Sequence, residues 1–126
     1  MHRRGDAAGA RQRLRAACAA KPWFVAGSGR FCTDIMGHFG ARVFVKTGAE
    51  GVFCGALPEL GYGIAVKCDD GQGRAAEAAM AALIGRFLPL DERDRGFLGR
   101  FVRPTLRNWH GTVVGGIRPT DALLSA

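Results

Sequence analysis

The sequence predicts an α+β fold, a small antiparallel sheet of three to four strands packed by helices. Two observations predict it. Three short runs, 42–47, 51–56 and Tyr62 to Cys68, are β-prone, separated by turn-forming Gly and Pro residues and followed by Asp69-Asp70-Gly71. An alanine-rich stretch, Arg74 to Phe87, repeats its larger apolar residues at helical spacing. A length of 126 residues suits one small domain with a modest core.

Taken in order, residues 1–9 read as a disordered start. Ala10 to Ala20 is rich in helix formers, with Leu14, Ala17 and Cys18 on one face and Arg11, Arg13 and Arg15 around it. Lys21-Pro22 stops that helix, because proline disfavours the helical region for the residue before it. Trp23 to Ala26 is an apolar entry into the Gly-rich loop Gly27-Ser28-Gly29-Arg30, whose amides suit an anion or a carboxylate. Thr33 or a neighbour caps a short helix through Phe39, ending near Gly40.

In the first strand Val43 and Val45 share one face, with Phe44 and Lys46 on the other. Gly48-Ala49-Glu50 turns the chain into the second strand, and Leu57 to Gly61 links to the third. There Tyr62, Ile64, Val66 and Cys68 alternate with Lys67, and Asp69-Asp70-Gly71 makes the turn out. The helix Arg74 to Phe87 turns Met80, Leu83, Ile84 and Phe87 towards the sheet, and Pro89 ends it. Asp91 to Val102 is a second, more charged helix. The stretch Leu106 to Gly115 adds one more strand, 122–126 is a tail, and Met80 and Trp109 read as core.

Composition narrows the function. Hydrophobic residues make up 48% and charged residues 23%, a globular balance. No run approaches a membrane span, and the first residues do not form a secretory signal, so a cytoplasmic chain without membrane contact is expected. The net charge of +7 comes mainly from dispersed arginines, without a dense basic block or aromatic interleaving. That argues against a nucleic-acid partner, although a small basic nucleic-acid-binding domain stays a third alternative. Cysteines 18, 32, 54 and 68 form no Cys-x-x-Cys pair, and no histidine stands at zinc-ligand spacing from them.

The chemistry-bearing stretch is Val45-Lys46-Thr47-Gly48-Ala49-Glu50-Gly51-Val52. A strand-end lysine beside a glycine that lets a ligand approach suits chemistry, and a solvated hairpin-tip lysine has the same pattern. Glu50 suits the ammonium of an amino acid or a turn cap. Arg30 suits a carboxylate or a tie between loop and helix.

Taken with Trp23 to Met36, Gly63 to Gly71, Arg74-Ala75-Ala76-Glu77, Leu106-Arg107-Asn108-Trp109 and Gly116-Ile117-Arg118-Pro119, this stretch resembles the asparaginase II family. These are the thermolabile, Rhizobium-type L-asparaginases. The resemblance runs in order over roughly 10–120 and is similar to the C-terminal part of the family domain, placed here at 10–121. It implies hydrolysis of L-asparagine to aspartate and ammonia, a fold similar to serine β-lactamases and penicillin-binding proteins, and a homodimer. It assigns Lys46 as the catalytic lysine of a serine–lysine pair. A lysine in a partly desolvated pocket near another cation can give up its proton and then accept one from a serine. Cys32, Thr47, Glu50 and Arg30 become substrate-site residues.

The sequence departs from the family at the nucleophile. Its two serines, Ser28 and Ser125, match neither nucleophilic serine of the family. The family's zinc-binding Cys-x-x-Lys segment and second zinc cysteine also lack counterparts, so no cofactor is expected from this chain. The expectation is a chain inactive alone, joined by a homo-oligomeric or complementing partner. The alternative is a non-catalytic remnant that binds a partner.

Overall fold

The computed structural model describes residues 4–125, and the chain divides into two compact units. The first comprises residues 1–46 and 54–63, the second 47–53 and 64–126. The chain is α+β, with one three-stranded sheet in the order β1-β2-β3 (Phe44–Thr47, Val52–Leu57, Tyr62–Lys67) and one two-stranded sheet, β4-β5 (Thr105–Arg107, Val113–Gly116).

The first unit begins with α1, Arg4–Ala20, which starts well before the expected Ala10. Ala7, Ala8 and Ala10 have the highest intrinsic helix propensity and carry the helix through Gly9. Its expected apolar stripe is largely uncovered, with Leu14 68% exposed. Where a loop entry was expected, Trp23–Ala26 makes one helical turn, α2. The helix α3, Phe31–Phe39, starts ahead of Thr33, with Arg30 at its N-cap. Thr33 therefore does not cap it. Its hydroxyl donates to the Gly27 carbonyl at 2.6 Å and ties the helix to the glycine loop. Ile35 and Met36 are fully buried beside Phe31, Cys32 and Phe39.

A 3-10 turn over Gly40–Arg42 delays β1 to Phe44, later than the expected start at 42. The alternation read from the sequence holds: Val43 and Val45 are buried while Lys46 is exposed. Arg42 meets Glu59 at 3.4 Å, an exposed pair worth little to stability.

In the second unit α4, Gly73–Phe87, packs on α5, Glu92–Val102, and on the single-turn α6, Asp121–Leu124. Met80 and Ile84 are fully buried, as their spacing predicted. Phe87 is not: it is 41% exposed at the helix end, and the buried residue there is Leu88. Asp91 caps α5, its carboxylate accepting the Asp94 N–H at 2.7 Å.

The stretch expected to supply one strand forms the antiparallel hairpin β4-β5, paired as Thr105↔Gly116, Leu106↔Gly115 and Arg107↔Val113 across a bulge. Asn108 organises its tip, its Oδ1 accepting the N–H groups of His110 and Thr112, each at 3.0 Å. Trp109, expected in the core, is fully exposed on that tip. With all its surface in solvent, it contributes nothing to a core here.

Candidate functional site

Lys46 stands on the outward face of β1, and buried Val43 and Val45 fix that orientation from the other face. The next residue, Thr47, is half-buried, and its hydroxyl donates to the Gly48 carbonyl at 3.2 Å. The chain then reverses in a tight turn. The Gly48 N–H donates to the Val52 carbonyl at 2.8 Å, and the Val52 N–H returns to the Ala49 carbonyl at 3.2 Å.

Within that turn Glu50 has φ 56° and Gly51 φ 70°, both in the left-handed region. This is a primed hairpin turn, whose twist matches that of the strands it joins. Glycine adopts such a conformation freely, but for Glu50 it costs about 1–2 kcal/mol. Glu50 is the only described non-glycine residue at positive φ. Its side chain is exposed.

A second turn holds the first in place. Cys68 to Gly71 closes through the Gly71 N–H to the Cys68 carbonyl at 3.1 Å, and Asp70 Oδ1 accepts the Gln72 N–H at 2.9 Å. Asp69 and Asp70 therefore belong to the turn foreseen for them, and Arg74 lies 3.9 Å from Asp70. The Cys68 N–H donates to the Gly51 carbonyl at 3.0 Å. A Cβ at Gly51 would lie 3.0 Å from the Gly71 carbonyl carbon and 3.1 Å from Cys68 Cβ. Gly51 must therefore be glycine on two counts, conformation and space. Sequence reasoning quoted both turns as separate motifs and missed that they pack on each other; two glycines at conformationally demanding turns were the only available signal.

Lys46, Thr47 and Glu50 thus lie on one hairpin. Arg30 and Cys32 stand at the start of α3: the Arg30 side chain is exposed, whereas Cys32 is 1% exposed among the residues of α3. The adjoining glycine loop is braced by Trp23, whose Nε1–H donates to Ser28 Oγ at 2.8 Å. Ser125 Oγ donates to the Asp121 carbonyl at 2.6 Å in the last helical turn. Both serine hydroxyls are thus engaged locally.

None of the four cysteines is in a disulfide. Among the described residues no group of three or more His, Cys, Asp or Glu side chains is arranged to hold a metal ion. No helix among the described residues is long and apolar enough to cross a membrane.

No match is found among curated proteins. The sequence model of the L-asparaginase II family, by contrast, matches residues 1–119 of the 126. That span contains the hairpin of Lys46, the turn that packs on it, and the start of α3. The chain belongs to the L-asparaginase II family.

Proposed function

We infer that this chain supplies the lysine side of a serine–lysine amidohydrolase centre acting on L-asparagine, with the nucleophilic serine contributed from outside these 126 residues. The family membership carries the reading. It is supported by the position of Lys46 near the end of a strand whose other face is locked in the core. Lys46 is exposed in this chain, so in this reading the desolvation that its role as base needs comes with the segment that brings the serine.

In this reading Lys46 Nζ, as a free amine, accepts the proton of the serine hydroxyl as its oxygen attacks the side-chain amide carbon. The tetrahedral intermediate collapses to an ester, the proton passes to the departing nitrogen, and ammonia leaves. Water then hydrolyses the ester and releases aspartate, restoring the serine. Glu50 meets the substrate ammonium and Arg30 its carboxylate, while Thr47 and Cys32 line the site. The reading carries the family's serine β-lactamase-like fold with it. The completing serine comes from a complementing chain or from a longer form of this one.

The test is ammonia release from L-asparagine by the purified chain, alone and mixed with a family fragment carrying the nucleophilic serines. Activity in the mixture alone supports the reading, and activity of the chain by itself contradicts the assignment of the serine elsewhere.

A second reading, a non-catalytic chain that binds a partner, is favoured by the exposure of Trp109, Val113 and Val114 on the β4-β5 hairpin. Under it the mixture associates, the complex is lost on Trp109→Ala, and no ammonia appears.

A further inference from the structure

The second unit contains a cavity of about 310 Å³ between α4 and α5, bordered by Leu124 of α6. That volume lies at the small end of ligand pockets, which run from roughly 300 to 1,000 Å³. Ala82, Leu98 and Val102 give it an apolar lining, and Arg86, Arg95 and Arg103 supply its charge. No carboxylate lines it. Arg86 is committed in part, its Nη1 donating to the Leu123 carbonyl at 3.2 Å and so tying α6 to α4. Among the described residues, neither Arg95 nor Arg103 forms an ion pair.

Two glycines keep the space open. A Cβ at Gly99 would meet nothing within 4 Å, and one at Gly85 would meet only Leu98 Cδ1, at 3.8 Å. Glycine within a helix is unfavourable, so the packing gains nothing from Gly99 that alanine would not give. A lining that is apolar below and cationic at its edge fits a molecule with a short hydrocarbon tail and one carboxylate. The tail gains by leaving water, and guanidinium groups bind carboxylates through charge-assisted, often bidentate hydrogen bonds.

We propose that the α4-α5 cavity is a binding site for a small amphiphilic carboxylate, held by its tail among Ala82, Leu98 and Val102 and by its head at Arg95 and Arg103. The site is independent of the asparaginase reading, because no residue of the Lys46 hairpin lines it.

The test is calorimetric titration of the whole chain with octanoate, and with octan-1-ol as the uncharged tail. Octanoate binds saturably, and octanol binds about tenfold more weakly, the scale of one charge-assisted contact. Replacing both exposed arginines, Arg95→Gln with Arg103→Gln, removes that difference and leaves octanol binding unchanged. Gly99→Leu fills the cavity and abolishes both, with the circular dichroism of the chain retained. The proposal is overturned if octanoate shows no saturable binding at millimolar concentration, if octanol binds as tightly as octanoate, or if the double arginine variant binds octanoate as the parent does. These last outcomes decide the matter even where Gly99→Leu fails to fold.

Discussion

Gly51 and Cys68 meet backbone to backbone: the Cys68 N–H donates to the Gly51 carbonyl at 3.0 Å, and a Cβ on Gly51 would lie 3.1 Å from that of Cys68. The turn after Lys46 is therefore a fixed piece of structure, seated against the turn after β3. It defines where Glu50 leaves the backbone. Lys46 is fixed separately, by buried Val43 and Val45 on the opposite face of its strand.

Gly51→Ala should be markedly more destabilising than Gly29→Ala. Both glycines have positive φ, at 70° and 65°, so both substitutions carry the left-handed penalty of about 1–2 kcal/mol. Only Gly51 is also crowded, by Gly71 and Cys68, whereas a Cβ at Gly29 meets nothing within 4 Å. Urea denaturation should place Gly51→Ala lower by at least another ~1 kcal/mol. Equal losses would mean that the two turns separate readily.

Glu50→Asn should stabilise the chain by roughly 0.5–1 kcal/mol, because asparagine tolerates the left-handed region better than glutamate. If Glu50 meets the substrate ammonium, the same variant weakens asparagine binding in the completed enzyme. A rise in thermal midpoint together with a rise in KM is the expected pair. A stabilised variant with unaltered KM would remove Glu50 from the substrate site.

Much of this arrangement was legible in the sequence. Alternation separated Val43 and Val45 from Phe44 and Lys46, because a strand has a period of two; the valine face is the one that the fold buries. The Asp69-Asp70-Gly71 turn and the buried Met80 followed from equally local chemistry. What was not legible depended on partners distant in the sequence. Phe87 and Trp109 are large and apolar, but local pattern does not reveal whether another segment arrives to cover them. Thr33 looked like a cap because threonine often is one; Arg30 took the N-cap position, and the Thr33 hydroxyl turned to the Gly27 carbonyl. The strain at Glu50 was hidden as well, since glutamate is a poor candidate for positive φ.

Thr33→Val keeps the side-chain shape and removes the 2.6 Å bond to Gly27. Its loss should cost about 1 kcal/mol, seen as a lower denaturation midpoint. Faster amide exchange should be confined to the loop of residues 27–30. A midpoint within experimental error of the parent would show that α3 does not depend on this tie.

Asp91→Ala removes the carboxylate that accepts the Asp94 N–H at the start of α5. A loss of about 1 kcal/mol is expected, as for other N-caps, and Asp91→Ser should recover most of it. Because Asp91 does not line the α4-α5 cavity, octanoate affinity should change little so long as the chain stays folded.

If Lys46 accepts the serine's proton in a completed amidohydrolase centre, replacing it should act on turnover. The most direct measurement is kcat for ammonia release from L-asparagine in the chain combined with a serine-bearing family fragment, comparing Lys46 with Lys46→Ala and Lys46→Arg. A fall on the order of 10²–10⁴-fold is expected for both variants, since arginine keeps the charge but cannot act as a base near neutral pH. Unchanged turnover in Lys46→Ala, or full activity in Lys46→Arg, would contradict it.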